Sequence, residues 1–340
     1  MKPFVSVIVP CRNESPFIER SLASILASDY PGNLEVIVAD GMSVDGTRQT
    51  LDRLAALDPR LRIIDNPERI TPVALNRAIA ASHGEIIVRF DAHAVMPPGY
   101  IRQCVDLLTS TNAQNAGGSI RTIAQSHGPF SAPIVTVLSS RFGVGNSSFR
   151  TSSTDQGPRP ADTVFGGCWH RELFNRIGGF NEKLARSQDI EFNLRIARAG
   201  GTILLDPRIR CDYYARATLA SFWRHNFSNG VWAVLPFAFS EIVPVRLRHL
   251  IPLAFVAALA LSPILPFPWS IAVPFAYALV NLAASIHAAI AHRRLDYLIL
   301  MPVAFASLHL LYGLGSAWGC IQLIRHLLGE PTRETTRLQT

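Results

Sequence analysis

The chain has 340 residues, a length that suits about two domains. It is 49% hydrophobic and only 17% charged, too apolar for an ordinary soluble protein, and it carries a net charge of +7. A basic balance admits nucleic acid, anionic lipid or a phosphorylated ligand, but no helix-turn-helix, zinc finger or basic repeat is present, so nucleic acid is set aside.

From the N-terminus, Val5–Val9 is a short β-branched run that reads as a buried parallel strand. It leads into a polar loop, Pro10-Cys11-Arg12-Asn13-Glu14, and a helix from Ser15-Pro16 with Phe17, Ile18, Leu22, Ile25 and Leu26 on one face. Leu34–Ala39 is a second strand ending at Asp40-Gly41, followed by a turn over Ser43–Thr47 and a helix through Leu57. Arg62–Ile64 is a third strand, Pro72–Ala81 a helix, and Glu85–Phe90 a fourth strand closed by Asp91-Ala92-His93. Strands and helices alternating at this spacing predict an α/β domain with a mostly parallel central sheet.

Gln125–Pro160 is rich in Ser, Thr, Gly and Pro and reads as a long loop with a short helix over Ile134–Leu138. Structure is expected to resume at Val164–Trp169, with helices from Arg171 and over Gln188–Arg198, and a last strand at Thr202–Leu205. Leu219–Val231 interleaves Phe222, Trp223 and Phe227 with Arg224, His225 and Asn226, with Trp232 just beyond, and is expected to lie in the headgroup region of a membrane. Trp223, Arg224 and His225 are its membrane-interface residues. An ordinary packing helix is the competing reading.

Three apolar stretches follow, at about 250–267, 270–291 and 297–321, each near the ~20 residues a bilayer requires. Arg246–Arg248 precedes the first and His292-Arg293-Arg294 separates the second from the third, so the first two are expected to form a hairpin with cytoplasmic ends. Arg325, Arg333 and Arg337 argue against export of the C-terminus, leaving three or four spans open. The N-terminus shows no secretory apolar run and the five cysteines are scattered without a CxxC pair. The expectation is a multi-pass protein of the inner cell membrane with its first domain in the cytoplasm. The predicted division is 1–215 for the α/β domain, 216–248 for interfacial helices, 249–325 for the transmembrane region and 326–340 for a polar tail.

In a parallel sheet, ligands bind beyond the carboxyl ends of the strands. Arg12-Asn13-Glu14, Asp40 and Asp91-Ala92-His93 all sit at such ends. Residues i and i+2 of an extended chain point the same way, so Asp91 and His93 can share one divalent cation, Mn²⁺ or Mg²⁺.

Val5–Glu14, Glu35–Thr47, Asn76–Ile79 and His83–Ile87, in this order ahead of Asp91-Ala92-His93, resemble family 2 glycosyltransferases over roughly Phe4 to Tyr214. The Asp-Ala-His variant with a C-terminal membrane region resembles the bacterial succinoglycan-type, exopolysaccharide-making subgroup. The resemblance implies a GT-A fold, a nucleotide-sugar donor with a UDP-sugar in first place, and inversion at the anomeric carbon. It places Pro10, Arg12, Glu14, Asp40, Ser43, Asn76, Arg77 and Asp91 on the donor, with Asp91 and His93 at the metal. His93 stands where the family usually carries a second Asp. Asp189, in the pair Gln188-Asp189, becomes the general base, and Gly166, Gly167 and Gln188 fall on the acceptor side. The implied partners are the donor, a lipid-linked polyprenyl-type acceptor and membrane lipid. Two alternatives stay open: a synthase placing one sugar directly on a polyprenyl phosphate, and a nucleotide-binding membrane scaffold or transporter.

Overall fold

A computed structural model describes residues 2–125, 128–215 and 218–330. They fall into two compact units, one comprising 2–121 and 148–213, the other the described parts of 122–147 and 214–330.

The first unit is built on a mixed sheet. β1 (Val5–Cys11) and β2 (Leu34–Asp40) are β-branched runs buried on both faces, as a central parallel pair requires. β3 (Leu61–Asp65) and β4 (Ile86–Arg89) extend the parallel set on either side, and the order runs β3-β2-β1-β4. α1 (Ile18–Leu26), α2 (Thr47–Leu57) and α3 (Thr71–Ala81) are the crossovers. The period-two alternation of a strand sends Val5, Val7 and Val9 into the core on one face and Ile8 into the core on the other.

Register places the strand ends together. Cys11 pairs with Asp40, Asp40 with Asp65, and Ile8 with Arg89. The loops that leave β1, β2, β3 and β4 therefore open on one edge.

Beyond β4 the sheet turns antiparallel. β5 (Ala94–Val95), α4 (Tyr100–Thr109) and β6 (Ala113–Ala124) occupy a stretch that the sequence reading left without elements. α5 (Ser131–Ser139), α6 (Arg141–Val144) and α7 (Ser148–Thr151) replace much of the expected long loop, since Pro133, Ile134 and Val137 are apolar enough to bury a helix face. β7 (Arg159–Pro160), β8 (Phe165–His170), α8 (Arg171–Ile177) and α9 (Gln188–Arg198) follow. The last strand, β9 (Thr202–Ala215), is 14 residues long, not the four expected, because Ile209, Cys211 and Ala215 keep one face buried past Pro207. β8 pairs antiparallel with β4, and the order continues β8-β6-β9-β5, with β7 on β9.

The second unit is helical: α5 and α6, then α10 (Leu219–Val231), α11 (Pro236–Phe239), α12 (Leu247–Leu261), α13 (Trp269–His292) and α14 (Tyr297–Leu327). Three segments, Leu247–Ile264, Trp269–His292 and Tyr297–Leu327, are long and apolar enough to cross a membrane. Phe275, Ile290 and Ile299 are exposed on their flanks, a surface that lipid tolerates and water does not. Within α10, Phe222 is buried, whereas Trp223, Arg224 and His225 are exposed side by side. The helix packs along α14 through small residues: a Cβ on Gly230 would meet the Tyr312 carbonyl at 2.0 Å, and one on Gly315 the Phe227 carbonyl at 2.1 Å. Arg333, Arg337 and the tail beyond Glu330 lie outside the described residues.

Candidate active site

The loops after β1 and β2 are tied to each other by side chains. Ser43 Oγ accepts from Asn13 N–H at 2.9 Å, Asn13 Oδ1 from Val44 N–H at 3.0 Å, Thr47 Oγ1 from Glu14 N–H at 2.8 Å and Asp45 Oδ2 from Ser15 N–H at 3.1 Å. Burial disfavours a charged Asp45, but the donors from Thr47 and Ser15 outweigh it and hold its carboxyl down at about 2. Asp40 is 1% exposed; its Oδ1 accepts from Ser43 Oγ at 2.5 Å and its Oδ2 lies 3.6 Å from Arg48.

Between these loops and β4 lies a cleft of about 200 Å³, lined by Pro10, Arg12, Glu14, Arg69, Asp91 and His93 among others. Strand alternation sets Arg89 and Asp91 on one side, and the guanidinium donates to Asp91 Oδ1 at 3.1 Å from NH2 and 3.3 Å from Nε. His93 is a quarter exposed, with Nδ1 3.2 Å from Glu14 Oε1 and its ring 4.9 Å, edge-on, from that of Tyr213. Arg150 places its guanidinium 5.4 Å over the Tyr213 ring and 5.2 Å over that of Phe149, and its buried NH1 has no hydrogen-bond partner.

The charges organise one another. Burial opposes the charge of His93, but Tyr213, Glu14 and Asp91 push its pKa up to about 10. Burial likewise opposes ionisation of Asp91, and the cations Arg89, His93 and Arg150 hold it below the ordinary carboxylate range. Arg89 is raised despite burial by Asp91 and by Asp189, so the α9 carboxylate reaches this cluster electrostatically. Among the residues that line the cleft, Arg12, Arg69, Arg89 and His93 outnumber the carboxylates Glu14 and Asp91, which leaves it receptive to an anion.

Asp189 is part-exposed in the first turn of α9, behind Ser187 at φ +64°. Gln188 beside it is 6% exposed, its Oε1 buried without a partner. Gly166 (φ +67°) and Gly167 (φ +119°) are backbone positions that a side chain would not fit: a Cβ would stand 2.4 Å from the Arg89 carbonyl at the first and 2.2 Å from the Trp169 ring at the second. Asn13, Met42, Arg69 and Ser187 account for four of the five non-glycine residues with positive φ among the described residues, and all four stand in loops at these strand and helix ends. Backbone strain of this kind collects at functional sites.

Asn76 and Arg77 sit elsewhere. Asn76 Nδ2 donates to the Phe180 carbonyl at 2.9 Å and its Oδ1 accepts from Phe180 N–H at 2.8 Å, a tie between α3 and the turn after α8. Arg77 pairs with Glu68 at 2.8 Å. The cluster also contains residues that sequence reasoning passed over. Arg89 could have been found from its i−2 spacing to Asp91, and Asn66 and Arg69 from their place after the third strand. Tyr213 was hidden because β9 was ended too early.

For a divalent cation the structure offers Asp91, whose Oδ2 takes no hydrogen bond among the described residues, and His93, which in its present ion pair is a cation and becomes a ligand only on losing its proton. No group of three His, Cys, Asp or Glu occurs that could hold a metal among the described residues. One carboxylate completed by substrate phosphate and water suits Mg²⁺ or Mn²⁺, so the donor set fits a cation arriving with its nucleotide.

The profile of glycosyl transferase family 2 matches residues 6–176, which span β1 through α8, and the chain belongs to that family. It is a glycosyltransferase with the GT-A fold. The chain is 31% identical over 314 residues to the succinoglycan biosynthesis protein ExoA of Rhizobium meliloti (strain 1021), covering 91% of this chain and 92% of that one. It is 27% identical over 239 residues to a dolichyl N-acetyl-alpha-D-glucosaminyl phosphate 3-beta-D-2,3-diacetamido-2,3-dideoxy-beta-D-glucuronosyltransferase of Methanococcus voltae, covering 67% and 72%. In fold it is similar to the mannosyltransferase PcManGT of Pyrobaculum calidifontis, solved with GDP-Man and Mn²⁺, at TM-score 0.58 and 22% identity over 94% of this chain and 88% of that one.

Proposed function

We propose that this glycosyltransferase moves a sugar from a nucleoside-diphosphate donor, a UDP-sugar in first place, to a lipid-linked acceptor at the cytoplasmic face of a membrane, with inversion. The observation that carries the reading is the cluster Arg89, Asp91, His93 and Glu14 at the carboxyl end of β4, with Asp189 near enough to act on Arg89. A diphosphate entering the cleft meets the surplus positive charge there, and the loops after β1 and β2, pinned by Ser43 and Thr47, hold the nucleoside.

The acceptor hydroxyl then attacks the anomeric carbon from the side opposite the phosphate. Its proton goes to the Asp189 carboxylate, while the pair of electrons from the broken carbon–oxygen bond leaves with the diphosphate. Arg89, held charged by Asp91 and Asp189, sits where that developing charge needs compensation. A divalent cation held by Asp91, and by His93 once neutral, would supply further neutralisation of the leaving group. Gly166 and Gly167 leave room for close approach on the acceptor side.

The membrane division is part of the same proposal: 1–215 acts in the cytoplasm, and the helices from 249 onward hold it at the bilayer. Residues Trp223, Arg224 and His225, exposed together on α10, form a basic-aromatic patch of the kind that sits among headgroups. A like exposed patch would also suit the polyprenyl-phosphate synthase, since both acceptors are lipid-borne.

The test is to incubate membranes containing the chain with labelled UDP- and GDP-sugars in turn and extract the lipid. Label from one donor is expected in the lipid fraction. Transfer only to a water-soluble acceptor would overturn the lipid assignment, and a lipid product carrying one sugar on a bare polyprenyl phosphate would favour the synthase.

A further inference from the structure

α14 has 31 residues, about 46 Å of helix against a bilayer hydrocarbon core of about 30 Å. A crossing centred in the membrane would put its midpoint, Tyr312, at the midplane. Two neighbours carry charge to that level. α10 runs parallel to α14 in close contact: a Cβ on Gly315 would meet the Phe227 carbonyl at 2.1 Å, and one on Gly319 the Val231 carbonyl at 2.8 Å. Counting back from Phe227 sets Arg224 and His225, both exposed, level with Tyr312 and Gly313. α12 meets α14 at the same place, where a Cβ on Gly313 would stand 2.3 Å from the Pro252 carbonyl. Arg246, Arg248 and His249, at the start of α12, are within about 9 Å of Pro252 along that helix. Charge at the bilayer centre is costly, whereas the headgroup region suits basic and aromatic side chains together. The midpoint of α14 therefore belongs at the surface.

So do its two ends. His292-Arg293-Arg294 precedes the helix, and Arg325 and His326 fall in its last turn. Between them, segments that come earlier in the chain cover α14 along its length. Tyr297 Oη is 3.1 Å from Thr136 Oγ1 on α5, His309 Nε2 donates to the Phe142 carbonyl of α6 at 2.9 Å, and the His326 ring lies 5.1 Å from that of Phe239 on α11. The second half of α13 runs antiparallel beside α14 and shares its inclination, with Tyr277 Oη 2.9 Å from His309 Nδ1 and Asn281 Nδ2 donating to the Pro302 carbonyl at 3.1 Å. On the far side of α14, Ile299, Val303, Leu314, Trp318, Ile321 and Ile324 are exposed. At 100° per residue they fall within about a third of the circumference, opposite the buried Met301, Leu308, Gly315, Gly319 and Gln322. One face packed on protein and one bare apolar face over the whole length suit a helix in the plane of the interface.

We propose that α14 does not cross the bilayer but lies along its cytoplasmic surface, with the exposed stripe against the acyl chains and the opposite face holding α5, α10 and α11. This rests on the membrane reading above and not on the chemistry of sugar transfer. The start, the centre and the end of the helix all stand beside charge, and only an in-plane orientation brings all three to the headgroups. The tail with Arg333 and Arg337 then stays on the cytoplasmic side, where its charge requires no export.

The experiment places one spin label at a time, through Ile299→Cys, Leu314→Cys or Ile324→Cys, in the full-length chain carrying Cys320→Ala; the other four cysteines are buried. The depth of each label in vesicles of phosphatidylcholine and phosphatidylglycerol is read from its collisions with oxygen and with a water-soluble nickel chelate. The three labels are expected at one shallow depth, within about 8 Å of one another. A crossing helix separates Ile299 from Ile324 by about 38 Å along its axis and puts Leu314 deepest, so a larger spread overturns the inference. A second measurement uses Leu295→Cys and Leu328→Cys, which flank the helix at 84% and 73% exposed. Both are expected to react with a membrane-impermeant maleimide in inverted vesicles and not in intact cells. Reaction of either in intact cells overturns the inference while sparing sugar transfer to lipid. Recovery of the wild-type chain in the soluble fraction would overturn the membrane reading itself, and this inference with it.

Discussion

His93 donates from Nδ1 to Glu14 Oε1 at 3.2 Å, joining the end of β4 to the loop after β1 across the cleft. Glu14 is 7% exposed, so the pair is largely shielded from water and the charge-assisted bond fixes the imidazole against Tyr213. Glu14→Gln is expected to lower sugar transfer by about 10- to 100-fold through a misplaced His93, the loss of one charged hydrogen bond being worth about 1.5–3 kcal/mol. Glu14→Asp, which keeps the charge on a shorter stem, should recover part of it. Steady-state transfer rates for the two variants check this; equal rates for Glu14→Gln and wild type would remove Glu14 from the site.

In the proposed reaction, inversion rests on Asp189 as the base. It stands in the first turn of α9, where a carboxylate makes a favourable dipole contact, so replacing it is expected to cost the helix little. Asp189→Asn is therefore expected to fold and to bind the donor within about twofold of wild type, yet to lose about 10²–10⁴-fold in turnover. Undiminished single-turnover transfer would move the base elsewhere.

Asp91 holds Arg89, and in the proposed reaction it also offers Oδ2 to a cation. Asp91→Ala is expected to lose about 100-fold or more of activity and all response to added Mn²⁺ or Mg²⁺. Activity of the wild-type chain titrated with chelator and then with each metal is the measurement, and full activity in excess chelator would exclude a cation from the reaction.

The parallel half of the fold was legible in the sequence because both of its signals are local. β-branched runs such as Val5–Val9 and Leu34–Ala39 are too short for helices, and each ends in polar residues that mark the ligand edge. Asp40 and Asp91 were therefore placed correctly at strand ends from pattern alone. The antiparallel half was less legible. β9 runs on through Asp206, Pro207 and Arg208, past the Leu205 at which the sequence pattern ends it, and its pairing with β7 and β5 is set by partners distant in sequence. Tyr213 and Arg150 were hidden for the same reason: each depends on tertiary packing around Asp91 that no spacing announces. Asn76 shows the converse, since its motif suggests the donor and its amide is spent on Phe180.

A pH effect on stability follows from Glu35. Its Oε1 accepts from Ser6 Oγ at 2.7 Å and from His83 N–H at 2.6 Å. Burial would raise its pKa, but these bonds outweigh burial and lower it below the ordinary value. A depressed carboxylate stabilises the fold above its unfolded pKa of about 4.3, and the contribution is lost as pH falls through the folded value. Glu35→Gln is expected to cost about 1–3 kcal/mol at pH 7, with the gap to wild type closing as the pH drops below about 4. Denaturant unfolding at pH 7, 5 and 3.5 checks the sign, and a gap that widens in acid would contradict it.

In the helical unit, Gly315 and Gly230 let α14 and α10 touch backbone to backbone. A side chain at 315 would drive its Cβ to 2.1 Å from the Phe227 carbonyl, an atom on a helix that cannot yield by rotating a side chain. Gly315→Val is therefore expected to destabilise this packing by about 1–3 kcal/mol or to force the two helices apart. Leu314→Val is the control: the neighbouring position is 47% exposed and should tolerate the change. Thermal unfolding of both variants in detergent, followed by far-UV circular dichroism of the helices, separates the outcomes. Equal melting of the two would mean that α10 and α14 do not rely on close approach, and would leave the exposed Trp223, Arg224 and His225 face as the chief hold on α10.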